Sequence, residues 1–597
     1  MLSLWLSGAL AGTAYVGAGQ TVGDALSEPA ITEIVLQEGY DPSLEDYGGS
    51  DGLLVYDSVT IRSEQPTEPQ TLPRLSLAAS GLVTIQDAVV DGRLNDGQLF
   101  VQFGEVELKD VEFQGDDYPS GITAYGGKLT IKQCLFQSYS SVPAVKLDAL
   151  DSYADDLEVT VEGSDFDNLS SGGIYATSAF SRSKGARLTV SDSNFTITSS
   201  NNGGAIRVDV WDELVVDGGT FSYNQATSYG GAIYLYDTEA RISGTDFGTS
   251  LAASSEGGHL YLRRETLDEM VVQVEGSSFD GGDTLIGGGS IKSWGADLRL
   301  NLCTFSSAAS SRGGAINIQE GRATITNSQF ISNAVDQQGG AIALEGADEL
   351  LVANTRFCNN QLTSADWGLG SVLDATNADR VHFENNVFEI DSAANGWALA
   401  VTGTGVVEIY DNTVVQEESQ RGWLTCDACV ADVVNNLFAH HAYPVLDGLP
   451  TVTGSHNLWW DVDTPGSDFP KGSAVLDDPQ FEDDYDPTVC ALPYLKSSSP
   501  ALGAGNRPAR PGGLDIGADL SLWGQDWEFD NTVDPGDSGT PGDSGLSGDS
   551  GSSSDSGVAR DTGVTAGERV SWVSGGCRGG VAGAVVLALA LFVRRRR

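Results

Sequence analysis

A phenylalanine that returns every 23 to 32 residues constrains this chain more than any other feature. It stands at Phe113, Phe136, Phe166, Phe195, Phe221, Phe247, Phe279, Phe305, Phe330, Phe357 and Phe388, and Val415 and Phe438 continue the series. Five residues before each anchor runs an apolar column: Leu108, Ile131, Val161, Val190, Val216, Ile242, Val274, Leu300, Ile325, Val352, Phe383, Tyr410 and Val433. Seven residues before it, most positions are apolar again. Alternation of period two, recurring once per unit, predicts an inward-facing strand in each repeat.

A second strand follows each anchor and opens on paired glycines. The segments are GGAIRV at 203–208, GGAIYL at 230–235, GGHLYL at 257–262, GGSIKS at 288–293, GGAINI at 313–318 and GGAIAL at 339–344. Their inward residues include Ile206 and Val208, Ile233 and Leu235, Leu260 and Leu262, Ile316 and Ile318. Glycine pairs suit a tight corner where backbone approaches backbone. No amphipathic helix of useful length appears in 31–500. Units of two or three short strands without a helix bury their faces only by stacking on their neighbours. The pattern therefore predicts an all-β fold, a right-handed, single-stranded parallel β-helix of about 13 or more rungs. Twelve intervals between Phe113 and Phe438 correspond to roughly 58 Å at a strand spacing of about 4.8 Å. A β-propeller is the alternative, with blades of about 40 residues or more.

The GGAI repeats and the turn asparagines of NSQF and NNLF resemble the right-handed β-helix proteins of the pectin-lyase-like superfamily. ITEIVLQEGY with VTIRSE is similar to their first coil. DDPQFEDD, LKSSSPALGAG and LDIGADL resemble the end segment of bacterial surface β-helix proteins that carry a choice-of-anchor tail. The resemblance spans about residues 31–522 and is specific for fold rather than activity, since one fold hosts many functions.

The 597 residues carry 83 acidic and 32 basic side chains, a net charge of -51. That balance excludes a general nucleic-acid binder, which needs a basic footprint. Both ends read as addresses. Residues 1–18 are apolar and finish on Val16-Gly17-Ala18, the small-residue pattern of a secretory signal. The body then covers 19–522, with an N-terminal cap and a C-terminal closing segment. Residues 523–574 form an acidic Gly/Ser/Asp linker, expected to be disordered and extended by its like charges. The tag, 575–597, holds SGGCRGG, the apolar run Val581–Val593 as a short helix, and Arg594–Arg597. It resembles the GlyGly-CTERM and MYXO-CTERM sorting tags of Gram-negative surface proteins. That resemblance implies export, a membrane sorting protease as partner, anchoring through Cys577, and an outer-membrane or cell-surface location.

Enzymes of the resembled family work on an outward strand face built from consecutive rungs. Here the first outward column reads Tyr175, Arg207, Tyr234, Tyr261, Lys292, Asn317 and Ala343, and the next Asp209, Tyr236, Arg263, Trp294, Gln319 and Glu345. His259 is expected to point outward beside Tyr261 and Arg263. Aromatic faces stack on sugar rings, and Arg or Lys holds hydroxyls or carboxylates. Arg207, Asp209, Tyr234, Tyr236, Tyr261, Arg263, Lys292 and Trp294 thus form a candidate glycan-binding patch. The opposing reading is a solvated sheet face of β-favoured aromatics.

A polysaccharide lyase would take Arg263 or Lys292 as base with His259 nearby, but Asp209 is the only acid in the central rungs. A glycosidase needs paired carboxylates. The polygalacturonase motifs are not assembled here; Gly257-Gly258-His259-Leu260 only grazes one. The function expected is non-catalytic binding of glycans or neighbouring surface components. A lyase or glycosidase is the first alternative and a purely structural surface protein the second. No cofactor and no calcium-loop spacing are legible. Cys426-x-x-Cys429 with His440, His441 and His456 offers zinc ligands at the wrong spacing for a finger, so a local disulfide or buried thiols is favoured. Cys134 and Cys303 both precede a Phe anchor by two residues. They lie six rungs apart, roughly 29 Å, too far for a disulfide.

Overall fold

The computed structural model describes residues 12–525, apart from short internal stretches of which 463–474 is the longest. Residues 1–11, nearly all of the linker and the whole tag with Cys577 lie outside the described residues. The body is a right-handed parallel β-solenoid of about 14 turns. One turn runs through strands Trp211–Asp217, Thr220–Ser222, Gln225–Tyr229 and Ile233–Tyr236. Each pairs in parallel with its counterpart in the next turn: Glu239–Ser243, Asp246–Phe247, Ser250–Ala252 and Leu260–Arg263.

In-register stacking sets the core. Phe113 through Phe388 form an unbroken pile of rings, with neighbouring centroids 4.5–5.1 Å apart. Val414, not Val415, continues that column, pairing with both Phe388 and Phe438. The upstream column shifts with it: Ile409 faces inward, and Tyr410 points out to bond Asp432. The paired glycines form the expected corners. The first of each pair has a positive φ (Gly203 62°, Gly230 64°). The second lies so close to the next rung that a Cβ on Gly204, Gly231 or Gly258 would meet its carbonyl oxygen.

Between the first two strands of many rungs, a buried polar side chain accepts the backbone N–H of the rung before it. Ser164 Oγ accepts from Cys134 N at 3.1 Å, and Ser328 Oγ from Cys303 N at 3.2 Å. The column then becomes amide: Asn386, Asn412, Asn436 and Asn457, each Oδ1 bonded to the backbone N–H of the previous rung at 2.8–2.9 Å. Cys134 and Cys303 are buried, unpaired members of this column. Burial pushes both thiols up to about 12.

Two additions close the ends. At the N-terminus, Thr13–Val16 is the first strand, within the stretch read as a leader. It pairs with Glu33–Leu36 and buries Ala14 and Val16. The short helix Val22–Leu26 follows, with Val22 and Ala25 in the core. At the other end, Ala501 and Ile516 pack with Val415, Leu437, Ala439 and Leu458 on the outside of the last rungs. A disulfide ties Cys358 to Cys490, 132 residues later. The chain then returns along the flank over Gly517–Gln525, bonding an outer asparagine row. Ala518 N–H donates to Thr413 Oγ1 at 2.9 Å, Asn385 Nδ2 to Asp519 O at 3.0 Å, and Asn327 Nδ2 to Gln525 O at 3.1 Å.

Asn412→Ala removes the acceptor for Asn386 N–H and Nδ2. It leaves a buried donor unmade, and denaturant unfolding is expected to show a loss of roughly 1–3 kcal/mol.

Candidate functional site

The outward columns form in the expected register. Tyr175, Arg207, Tyr234, Tyr261, Lys292, Asn317 and Ala343 pair in succession, as do Asp209, Tyr236, Arg263, Trp294, Gln319 and Glu345. Cations and rings interleave along them. Arg207 lies over Tyr175 at 4.6 Å and Tyr234 at 5.6 Å; Arg263 lies over Trp294 at 5.1 Å and Tyr236 at 5.8 Å.

Every cation of the patch already has an acid. Arg207 meets Asp209 at 2.6 Å, Arg263 meets Glu265 at 3.0 Å, and Lys292 meets Glu256 at 3.5 Å. The middle of the patch is also closed. Tyr229, one corner earlier, lies against Tyr261 at 4.5 Å, and Tyr261 stacks on Tyr234 at 5.5 Å. Tyr234, Tyr261 and Lys292 are 7%, 1% and 2% exposed. Burial pushes the Tyr234 phenol up to about 12 and the Lys292 ammonium below its ordinary value.

His259 is a correction. It sits in the core between Phe247 and Phe279, with its Nε2–H donating to Gly248 O at 3.0 Å. The residue after each glycine pair still lies on the corner, before outward alternation begins. Ala205, Ala232, Ser290, Ala315 and Ala341 fill the same buried place. That column of small residues was the sequence signal for an inward site. Desolvation drives the His259 imidazole down to about 4.

Open space lies two rungs nearer the N-terminus. A groove of about 450 Å³ runs across successive rungs from Ser141 to Thr227. Its walls mix hydroxyls and amides, among them Ser171, Ser200, Asn201, Asn202 and Gln225, with apolar surface from Pro143, Ile174 and Ala226, and Tyr175 and Arg207 stand at one side. Asn202 Oδ1 is buried there and makes no hydrogen bond within the protein. Of the expected patch only Arg207 lines this groove. The others were missed because Ser and Asn in a corner carry no period of their own. A second cavity, about 460 Å³, lies at the closing segment beside His440, Trp460, Asp478 and Lys496.

Among the described side chains, which do not include His441, the zinc constellation is not assembled. Cys426 and Cys429 are joined to each other, and His440 Nδ1 faces Asp461 at 3.1 Å. Among the described residues, the one cluster with metal-type donors is Cys358, Glu389 and Cys490, whose cysteines form the second disulfide. The acids Asp477 and Asp478 lie in an exposed turn. No protein-family model matches the chain, and no curated protein does.

His259 has a folded-state pKa below its unfolded value near 6.5. Its neutral form favours folding above about pH 6.5, and that contribution is lost as pH falls towards 4, by roughly 3 kcal/mol. Unfolding free energies of His259→Ala between pH 7 and 4 are expected to lack that slope.

Proposed function

We propose that the chain is an exported, surface-anchored solenoid that binds a polysaccharide without cleaving it. The observation that carries this reading is the groove across successive rungs, whose hydroxyl and amide side chains, Asn202 among them, stand beside the Tyr175–Arg207 pair. Sugars present rings of hydroxyls, which such walls bond, and an aromatic edge on which a ring stacks. Arg207 is neutralised by Asp209, so the groove favours a neutral glycan over a uronate. Non-catalytic binding is supported by the state of the three candidate bases. His259 is enclosed in the core, Lys292 is enclosed with Glu256, and Arg263 is paired with Glu265.

Export and anchoring rest on the two terminal segments. The buried strand Thr13–Val16 argues for keeping Gly12 onward in the mature chain. Ala9-Leu10-Ala11, directly before Gly12, has the small-x-small spacing of a cleavage site. The leader boundary thus moves from Ala18 to Ala11. Amino-terminal sequencing of the exported protein is expected to begin at Gly12; a start at Gly19 overturns that boundary.

The function itself is tested by incubating the full chain with a panel of neutral and acidic polysaccharides, scoring retention and product release together. Retention without products is expected, weakened about tenfold (about 1.4 kcal/mol) in Asn202→Leu. Product release overturns the non-catalytic reading. Absence of both overturns glycan binding and leaves a structural surface role.

A further inference from the structure

Lys292 is a buried amine held against a buried amide. Its Nζ donates to Asn317 Oδ1 at 2.6 Å and to Gln319 Oε1 at 3.1 Å. Lys292 and Asn317 are directly opposite on adjacent rungs, and Asn317 is itself buried. The Glu256 carboxylate closes the group, with Oε1 3.5 Å from Nζ. Glu256 belongs to the corner wall, bridged to Gly287 on the next rung. A Cβ on Gly287 would lie 3.0 Å from Asn317 Nδ2, so the amide turns its nitrogen to that backbone and its oxygen to the lysine. Tyr261, the preceding residue of the column, is fully buried beside them. Removal from water pushes the ammonium towards its neutral, nucleophilic form.

We propose that Lys292 and Asn317 become joined by an isopeptide bond that the protein forms on itself, with Glu256 as the proton carrier. The Nζ lone pair attacks Asn317 Cγ, and a C–N bond forms. Glu256 takes a proton from Nζ and returns it to Nδ2. The Cγ–Nδ2 bond breaks and ammonia leaves. The sum is an amine and a primary amide giving a secondary amide and ammonia, with no oxidant, metal or cofactor. The rung register supplies the proximity: two side chains fixed on neighbouring strands react as if at very high concentration. Gln319 holds the amine in place through its second hydrogen bond. The product is a covalent cross-strand staple at mid-body, far from both disulfides in sequence.

Trypsin digestion of the folded, full-length protein reads this directly. Cleavage is blocked at an acylated Lys292, so residues 265–299 and 313–322 are expected as one linked species, lighter than the two peptides together by one ammonia, about 17 Da. Fragmentation is expected to assign the link to Asn317. Separate peptides from the folded wild-type chain, or a link to Gln319, overturn the proposal. Glu256→Gln is expected to keep the β-sheet circular dichroism and leave the peptides unlinked. Complete linkage in that folded variant overturns the role given to Glu256. The wild-type digest stands whether or not any variant folds.

Discussion

Everything in this body follows from one condition: each rung must hydrogen-bond, in parallel and in register, to a copy of itself about 4.8 Å away. Under that condition a side chain is never alone. It repeats along a column, and the column rather than the residue is stabilised or penalised. Phenylalanine rings gain from it, since neighbours stack at 4.5–5.1 Å. Such ring pairs are worth about 0.5–1.5 kcal/mol beyond area burial. Serine, threonine and asparagine gain because each acceptor meets the preceding rung's N–H. Glycine is required wherever the corner brings backbone onto backbone.

Charge is where the same condition hurts. Like charges in one column would face each other at strand spacing, in a chain already at -51. The outward face resolves this by alternation. Arg207 stands between two tyrosines and Arg263 between Tyr236 and Trp294, while Glu213, which faces Glu239 on the next rung, is neutralised by ion pairs to Arg187 and Arg241. Late in the body, Glu408 takes both Arg380 and His382, at 2.7 and 3.0 Å. The outward cations are thus largely self-satisfied, each held by an acid of its own.

What repeats was legible in the sequence. The Phe column, the GGAI corners and the register of the outward columns all follow from period and spacing. Errors arose where period carries no information. After Phe388 the anchor is Val414, and the valine pair at 414–415 gave two equal choices. His259 sits at the one position where alternation has not yet started, so parity pointed the wrong way. The Cys358–Cys490 bond joins a rung to the non-repeating segment, for which spacing provides no register. The groove depends on how far corners stand off the strand face, a distance that composition does not encode.

The returning segment has a mechanical consequence. Asn435, Asp411, Asn385, Asn354 and Asn327 are neighbours along the flank, tied by side-chain hydrogen bonds such as Asn385 Nδ2 to Asn354 Oδ1 at 2.7 Å. Gln525 therefore ends beside Asn327, several rungs back from the last one. A pull on the chain beyond it acts on the side of the solenoid. Under a pull directed along the flank, the load is shared in shear among the bonds to Thr413, Asn385, Asn354 and Asn327, with the Cys358–Cys490 link behind them. Bonds loaded in parallel must break together, whereas a tether on the terminal strand would peel rungs one at a time.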